Sequence, residues 1–425
     1  MKRFLRVVLI GVFAILIAGL TACADNNGGG AAGGGHSQGV TDSVVRVGNT
    51  AAVSGPFAAV GVPFNDGILA YFEKVNNAGG VHGRRIEFVH HDDNFDAVTG
   101  LAFTEALIHD DNVFAIVGHF GTPTVGATMG LLRETGIPVV YFASGIGALY
   151  NEEAFTIAQG QNLFPVQPIF TTEGRVLVAR AIEEYSAQNI GVIFTSDEAG
   201  LDFINGINNQ ANRMQGITIV SEQVAPMQAD VSSAVLRMVA EDVDVVIVAT
   251  LQATLPIIIN SMVAQGLNVP VFTSYISADA MTIGGFAADY MGGGATFPIY
   301  ATAWLDIGTV DDGFTPEFYD FVDGVTAFGQ PALAENAFAM AGWIAGSVFV
   351  QGLRNTPSDS ITWDAYIHAM ETTIIDLPMG GIMNFANGQR TGTQAMALVR
   401  ANVAELVWET IRPIETLDAV IQRVE

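Results

Sequence analysis

Two stretches of this 425-residue chain bring together residue types that can carry out chemistry. Gly35-His36-Ser37-Gln38-Gly39 matches G-x-S-x-G, the pattern that lifts a nucleophilic serine out of a strand-to-helix turn. That turn needs a strand before it and a helix after it, whereas here a glycine-rich stretch precedes the motif and a strand follows. No base or orienting partner stands at a spacing that would complete a triad, so the match reads as chance. His90-His91-Asp92-Asp93 contains metal-ligand types, but neighbouring strand residues point to opposite faces and do not converge on one ion. No G-x-G-x-x-G or Walker spacing follows a strand, so no nucleotide cofactor is implied, and neither is a metal.

A different set is better placed. Small and hydroxylic residues cluster just after candidate strand ends, where open α/β sheets present ligand sites. They are Ser54-Gly55-Pro56-Phe57, the run 118–124 that contains Thr122, and Ala143-Ser144-Gly145.

The elements that must position them alternate short β-branched runs with longer amphipathic ones, the signature of a parallel sheet with crossover helices. Strands are expected at 44–49, 86–91, 113–117 and 137–142, with helices at 60–77, 96–109 and 122–135. A second series follows, with strands at 190–195, 217–224, 243–249 and 269–273 and helices at 172–187, 197–215, 231–241 and 253–265. After the glycines at 292–294 come a strand-like run at 295–303 and apolar helices at 331–353 and 363–373. The tail from 379 to 411 reads as short strands and turns, with Asn387-Gly388 as a hairpin-like turn.

The N-terminus reads as a processing signal. Lys2, Arg3 and Arg6 precede an apolar run at 7–20, which is shorter than the roughly 20 residues a spanning helix needs. Leu20-Thr21-Ala22-Cys23 resembles the lipobox of bacterial lipoproteins, in which the cysteine is lipidated and becomes the first residue after cleavage. Cys23 is the only cysteine in the chain, which agrees with a thiol consumed by modification. Residues 25–39 are Gly, Ala, Asn, Ser and Gln with little apolar content, a composition suited to a flexible tether. The formal net charge is −26, or −29 without the three leader cations, and Lys74 is the only lysine beyond the leader. Such a surface argues against nucleic acid and against lying flat on anionic lipid.

Segments 45–57 (VRVGNTAAVSGPF), 75–87 (VNNAGGVHGRRIE), Asp92-Asp93, 116–118 and Gly136-Ile137-Pro138-Val139 together resemble the leucine/isoleucine/valine-binding protein family, a branch of the type I periplasmic binding proteins. The resemblance runs in order from about residue 44 to 285 and weakly to the end. It implies two doubly wound parallel-sheet lobes joined by a three-strand hinge, with a small ligand held in the cleft and delivered to the permease and ATPase subunits of an ABC importer. On that basis residues 1–22 are the leader and 23–43 the tether. Lobe 1 comprises 44–160 plus 296–380, and lobe 2 comprises 161–295 plus 381–425. The chain would then be lipid-anchored outside the cytoplasm.

Carried over residue by residue, the resemblance places Thr122 where the family sets a serine hydroxyl on the ligand carboxylate. Ala143 and Gly145 fall where backbone groups hold the amino-acid head, beside Ser144, and Val60 falls where an aromatic covers the ligand near Phe57. Gly145 replaces a threonine that helps hold the ammonium. Tyr275 stands near the place of an acidic partner, Ala199 replaces a tyrosine, and Leu251 and Gln252 occupy another aromatic position. Glu198 is the candidate for the missing charge. A buried ammonium without a carboxylate is costly, so amides and organic or aromatic acids compete with branched-chain amino acids as the ligand. A ligand sensor of the same fold, coupled to a signalling partner, is the alternative to a transport subunit. A lipid-anchored hydrolase using Ser37 is the third reading.

Overall fold

The computed structural model describes residues 35–150, 160–309 and 313–424. The leader, the lipobox and Cys23 lie outside the described residues.

The first lobe is built from β1 (Val44–Ala51), α1 (Ala58–Asn77), β2 (Arg85–Asp92), α2 (Ala97–His109), β3 (Ala115–Phe120), α3 (Thr122–Thr135), β4 (Val139–Ala143) and β5 (Leu163–Phe164). Its sheet runs β2-β1-β3-β4-β5, parallel throughout. All six residues of β3 are buried, because helices cover both faces of a parallel sheet; this is why its strands read as unbroken apolar runs.

The second lobe contains α4 (Phe170–Tyr185), β6 (Asn189–Thr195), α5 (Glu198–Ala211), β7 (Thr218–Val224), α6 (Ser232–Ala240), β8 (Val245–Ala249), α7 (Leu255–Gln265), β9 (Val271–Thr273), α8 (Ala280–Gly292) and β10 (Ile299–Ala303). After β10 the chain returns to the first lobe through the short pair β11 (Gly308–Thr309) and β12 (Gly313–Phe314). It continues there as α9 (Pro316–Ala327), α10 (Ala337–Asn355), α11 (Trp363–Thr372) and the hairpin β13 (Ile374–Leu377) and β14 (Gly381–Asn384). It then crosses again to add β15 (Ala395–Asn402), β16 (Val407–Thr416) and α12 (Leu417–Ile421). The second sheet is ordered β16-β15-β10-β9-β8-β6-β7, with β15 and β16 antiparallel.

Several expectations change in detail. β10 belongs to the second sheet, pairing parallel with β9 and antiparallel with β15, so the return to lobe 1 comes after residue 303 rather than at 296. Phe385 packs in the lobe 1 core, which moves the last crossing beyond residue 381, to about 390–394. The helix expected at 331–353 begins instead at Ala337, because the Asn336 side chain accepts from the amides of Phe338 and Ala339 and caps it there. α9 had no sequence forecast. Asn387-Gly388 is a single tight turn before the crossing, not a hairpin tip; the hairpins turn at Met379 and near Leu406, both at positive φ.

The last residues of the expected tether are docked. Val40 is buried, the Gln38 amide donates to Ile108 O and Val113 O at 3.0 Å, and His36 Nδ1 accepts from Ile361 N. Ser37 Oγ accepts from Trp363 N at 3.0 Å, so the serine of the G-x-S-x-G match anchors backbone on lobe 1.

α10 and α1 form the spine of lobe 1. They approach closely because Gly67 faces Ala339 O and Gly342 faces Phe64 O, where a Cβ would sit 2.1 Å and 1.9 Å away. Among the described residues no helix is long and apolar enough to cross a membrane.

Candidate ligand-binding cleft

The three crossings bring the C-terminal ends of the parallel strands of the two sheets face to face. Between them lies a cavity of about 700 Å³, its open mouth included. From lobe 1 it is lined by Phe57, Val60, Phe95, Phe120, Thr122, Ala143 and Ser144, and from lobe 2 by Leu251, Gln252, Tyr275 and Ile276. Gln167, Trp304 and Leu305 come from the crossings and Phe338 from the start of α10.

The polar corner is local in origin. β3 ends at Phe120, and Gly121 caps the start of α3 at φ +90, with the Phe95 ring against the place a Cβ would take. Glycine there offers no capping side chain, so the amides of Thr122 and Thr124 lack the usual capping acceptor, while Pro123 between them carries no N–H. Thr122 Oγ1 and Ser144 Oγ lie 2.9 Å apart, both buried, and Ser144 Oγ also accepts from Ile146 N. A helix start with two hydroxyls is chemically suited to an oxyanion.

The aromatic wall is held by the acids that had suggested metal ligation. Asp92 Oδ1 accepts from Val53 N and Asn94 N. Asp93, fully buried, accepts from Phe95 N at 2.9 Å and from Thr124 Oγ1 at 2.8 Å; burial raises its carboxyl. These bonds sustain consecutive positive φ values at Asn94 and Phe95, which turn the Phe95 ring onto Phe57 at a centroid distance of 3.8 Å.

On the second lobe, Tyr275 donates from its hydroxyl to Pro168 O at 3.1 Å. Beneath it Glu173 is fully buried and accepts from Ser274 Oγ and Tyr275 N, each at 2.9 Å, and from Thr302 Oγ1. Desolvation pushes its carboxyl up to about 7, against the lowering effect of those three bonds.

Of the residues expected at the site, Phe57, Val60, Thr122, Ala143, Ser144, Leu251, Gln252 and Tyr275 all line this cavity. Gly145 does not: its carbonyl accepts from Phe170 N, and a Cβ on it would meet the Phe170 ring at 2.5 Å. Ala199 is buried in the lobe 2 core. Glu198 lies at the seam between lobes against Gly126 of α3, beside Asp202, whose carboxylate accepts from Gly147 N at 2.5 Å. Burial raises both carboxyls, and for Glu198 the nearby Asp202 and Asp197 add to it. Glu198 therefore supplies no charge to the cavity. Among the described residues that line it there is no Asp, Glu, Lys, Arg or His.

Sequence reasoning missed Phe95, Gln167, Trp304 and Phe338, and marked Phe120 only as part of the run 118–124. Phe95 follows the end of β2, where the rule that found Thr122 would have found it. The others come from hinge segments and a distant helix, for which no local signal exists.

The family model described as "Periplasmic binding protein" matches residues 44–405. This chain belongs to the periplasmic binding protein family. The Leu/Ile/Val-binding protein homolog 2 of Brucella abortus is 23% identical over 243 residues, 57% of this chain; the match spans only 62% of that relative. The fatty acid ABC transporter substrate-binding protein from Thermomonospora curvata superposes with a TM-score of 0.76 at 16% identity, covering 92% of this chain and 96% of its own. A branched-chain amino acid ABC transporter protein from Thermus thermophilus with bound valine does so with a TM-score of 0.76 at 15% identity, covering 91% and 100%. This periplasmic binding protein thus has the type I fold, two lobes with parallel-dominated sheets. Membership implies an extracytoplasmic protein that binds a small molecule.

Proposed function

We propose that this chain is the solute-binding subunit of an ABC importer, lipid-anchored through Cys23, and that its ligand is a small carboxylic acid with an apolar or aromatic body and no ammonium group. The observation that carries the reading is the cavity wall: hydroxyls and a helix start at one corner, aromatic rings elsewhere, and no charged side chain among the described residues. A carboxylate at that corner keeps its hydrogen bonds on leaving water, whereas an α-ammonium would be buried without a counter-charge. That a structural neighbour is described as a fatty acid ABC transporter substrate-binding protein supports an apolar acid as the ligand.

A thermal-shift and calorimetric panel tests this, with benzoate, phenylacetate, 4-methylpentanoate, leucine and valine as ligands. Binding to the native state raises the unfolding temperature by mass action. The acids are expected to give concentration-dependent shifts and the amino acids none; leucine binding more tightly than 4-methylpentanoate would refute the absence of an ammonium site.

A further inference from the structure

One polar group at the cavity belongs to neither lobe. Gln167 lies in the first crossing, nearly buried, and lines the cavity. Its Oε1 accepts from the Tyr141 hydroxyl at 3.2 Å, and the carbonyl of the next residue, Pro168, accepts from the Tyr275 hydroxyl at 3.1 Å. The crossing is thus held by a tyrosine from each lobe.

Tyr141 reaches this position through an unusual backbone. It sits inside β4 at φ +64, next to Gly118 of β3 at φ +73. The register pairs Val117 with Val140 and His119 with Phe142 and passes over these two residues. A non-glycine residue at positive φ inside a strand costs on the order of 1–3 kcal/mol and persists where the surrounding structure holds it, often at a binding site. Burial pushes the Tyr141 phenol far up, so it is a neutral donor at every physiological pH.

Donor counting gives the arrangement a purpose. Thr122 and Ser144 hold two hydroxyl protons, and one of them is used in the bond between the two residues. One hydroxyl and the amides of Thr122 and Thr124, with none from Pro123, remain at that corner for a carboxylate that offers about four lone-pair sites. The bond from Tyr141 fixes which end of the Gln167 amide is the oxygen, and its Nε2 supplies two further donors.

We propose that Gln167 is a ligand-binding residue that donates from Nε2 to a carboxylate oxygen of the bound acid, and that Tyr141 is its positioning residue. This rests on the reading of the cavity as an apolar-acid site. In it, the hinge itself contacts the ligand, so that ligand specificity and the crossing's geometry depend on the same amide.

Calorimetry with benzoate and 4-methylpentanoate on wild type, Gln167→Met, Gln167→Glu, Tyr141→Phe and the double variant tests it. A hydrogen bond to a charged group is worth enough that Gln167→Met should weaken binding roughly 10- to 100-fold. Gln167→Glu should weaken it further near neutral pH and recover in acid as the new carboxyl is protonated. Tyr141→Phe should weaken binding several-fold in wild type and have no added effect in Gln167→Met, a non-additivity that a purely structural role would not produce. Unfolding temperatures of the variants identify any that fail to fold; Gln167→Glu, close in shape to the native residue, keeps the test open. If wild type binds neither acid, the cavity reading falls and this inference with it. If wild type binds and both Gln167 variants bind as tightly, or Tyr141→Phe is additive, this inference alone falls.

Discussion

Replacing Glu173 by glutamine should make the protein more stable at pH 8 and leave it nearly unchanged below pH 5. Glu173 is fully buried, and burial is the largest influence on its carboxyl, raising it from 4.5 to about 7. A carboxyl raised in the folded state holds a proton that the unfolded chain has already released. Its contribution to stability is therefore complete below about pH 4.5, declines as pH rises toward about 7, and is level above that. At about 1.4 kcal/mol per pH unit, the displacement amounts to on the order of 3 kcal/mol. Glutamine removes the titration but keeps most of the geometry: its carbonyl can still accept from Tyr275 N and Thr302 Oγ1, and the Ser274 hydroxyl can rotate to accept from the new amide. Urea denaturation of wild type and Glu173→Gln in parallel at pH 4.5, 6, 7 and 8 reads the effect as a difference, which cancels the titration of every other group. The gap in favour of the variant should widen by on the order of 3 kcal/mol from the lowest to the highest pH. A gap that is constant with pH would refute the reasoning, because it would mean that Glu173 has the same proton affinity folded and unfolded.

Thr122→Val should reduce affinity for the best-binding acid by roughly tenfold, the worth of about one hydrogen bond to a charged group, as measured by calorimetry; unchanged affinity would remove Thr122 from the head-group site. Gly145→Thr, the residue the family resemblance led one to expect there, should not create an amino-acid site but should lower stability by about 1–3 kcal/mol through overpacking against Phe170, checked by denaturation and by leucine titration. Cys23→Ala should shift the protein from the membrane fraction to the soluble extracytoplasmic fraction and abolish incorporation of labelled fatty acid; membrane retention unchanged by the substitution would refute the anchor.

How much of this was legible in the sequence depended on range. The alternation of apolar runs and amphipathic segments set the order of strands and helices, since that pattern reflects only which local face is buried. It also marked Thr122 and Ser144, because a ligand site at the end of a parallel strand is a property of the strand–turn–helix unit itself. The ordered motifs from residue 45 to 139 pointed to the family for the same reason, being local turns and caps.

The tertiary structure decided the rest. Glu198 looked like a missing counter-charge, but docking of the lobes puts it at their seam against Gly126. Gly145 looked like a lost ligand contact, but Phe170, 25 positions later, occupies the space a side chain would need. Glu173 was invisible in sequence as one acid in an amphipathic helix, and it becomes a buried hub only because β9 and β10 close over it. Phe338 and Trp304 reach the cavity from segments more than 100 residues beyond its first wall. Periodicity fixes which face of an element is buried and not which distant element covers it. Hence the scaffold and one polar corner of the cleft followed from sequence, while the uncharged aromatic character of the cavity followed from the packing of the two lobes.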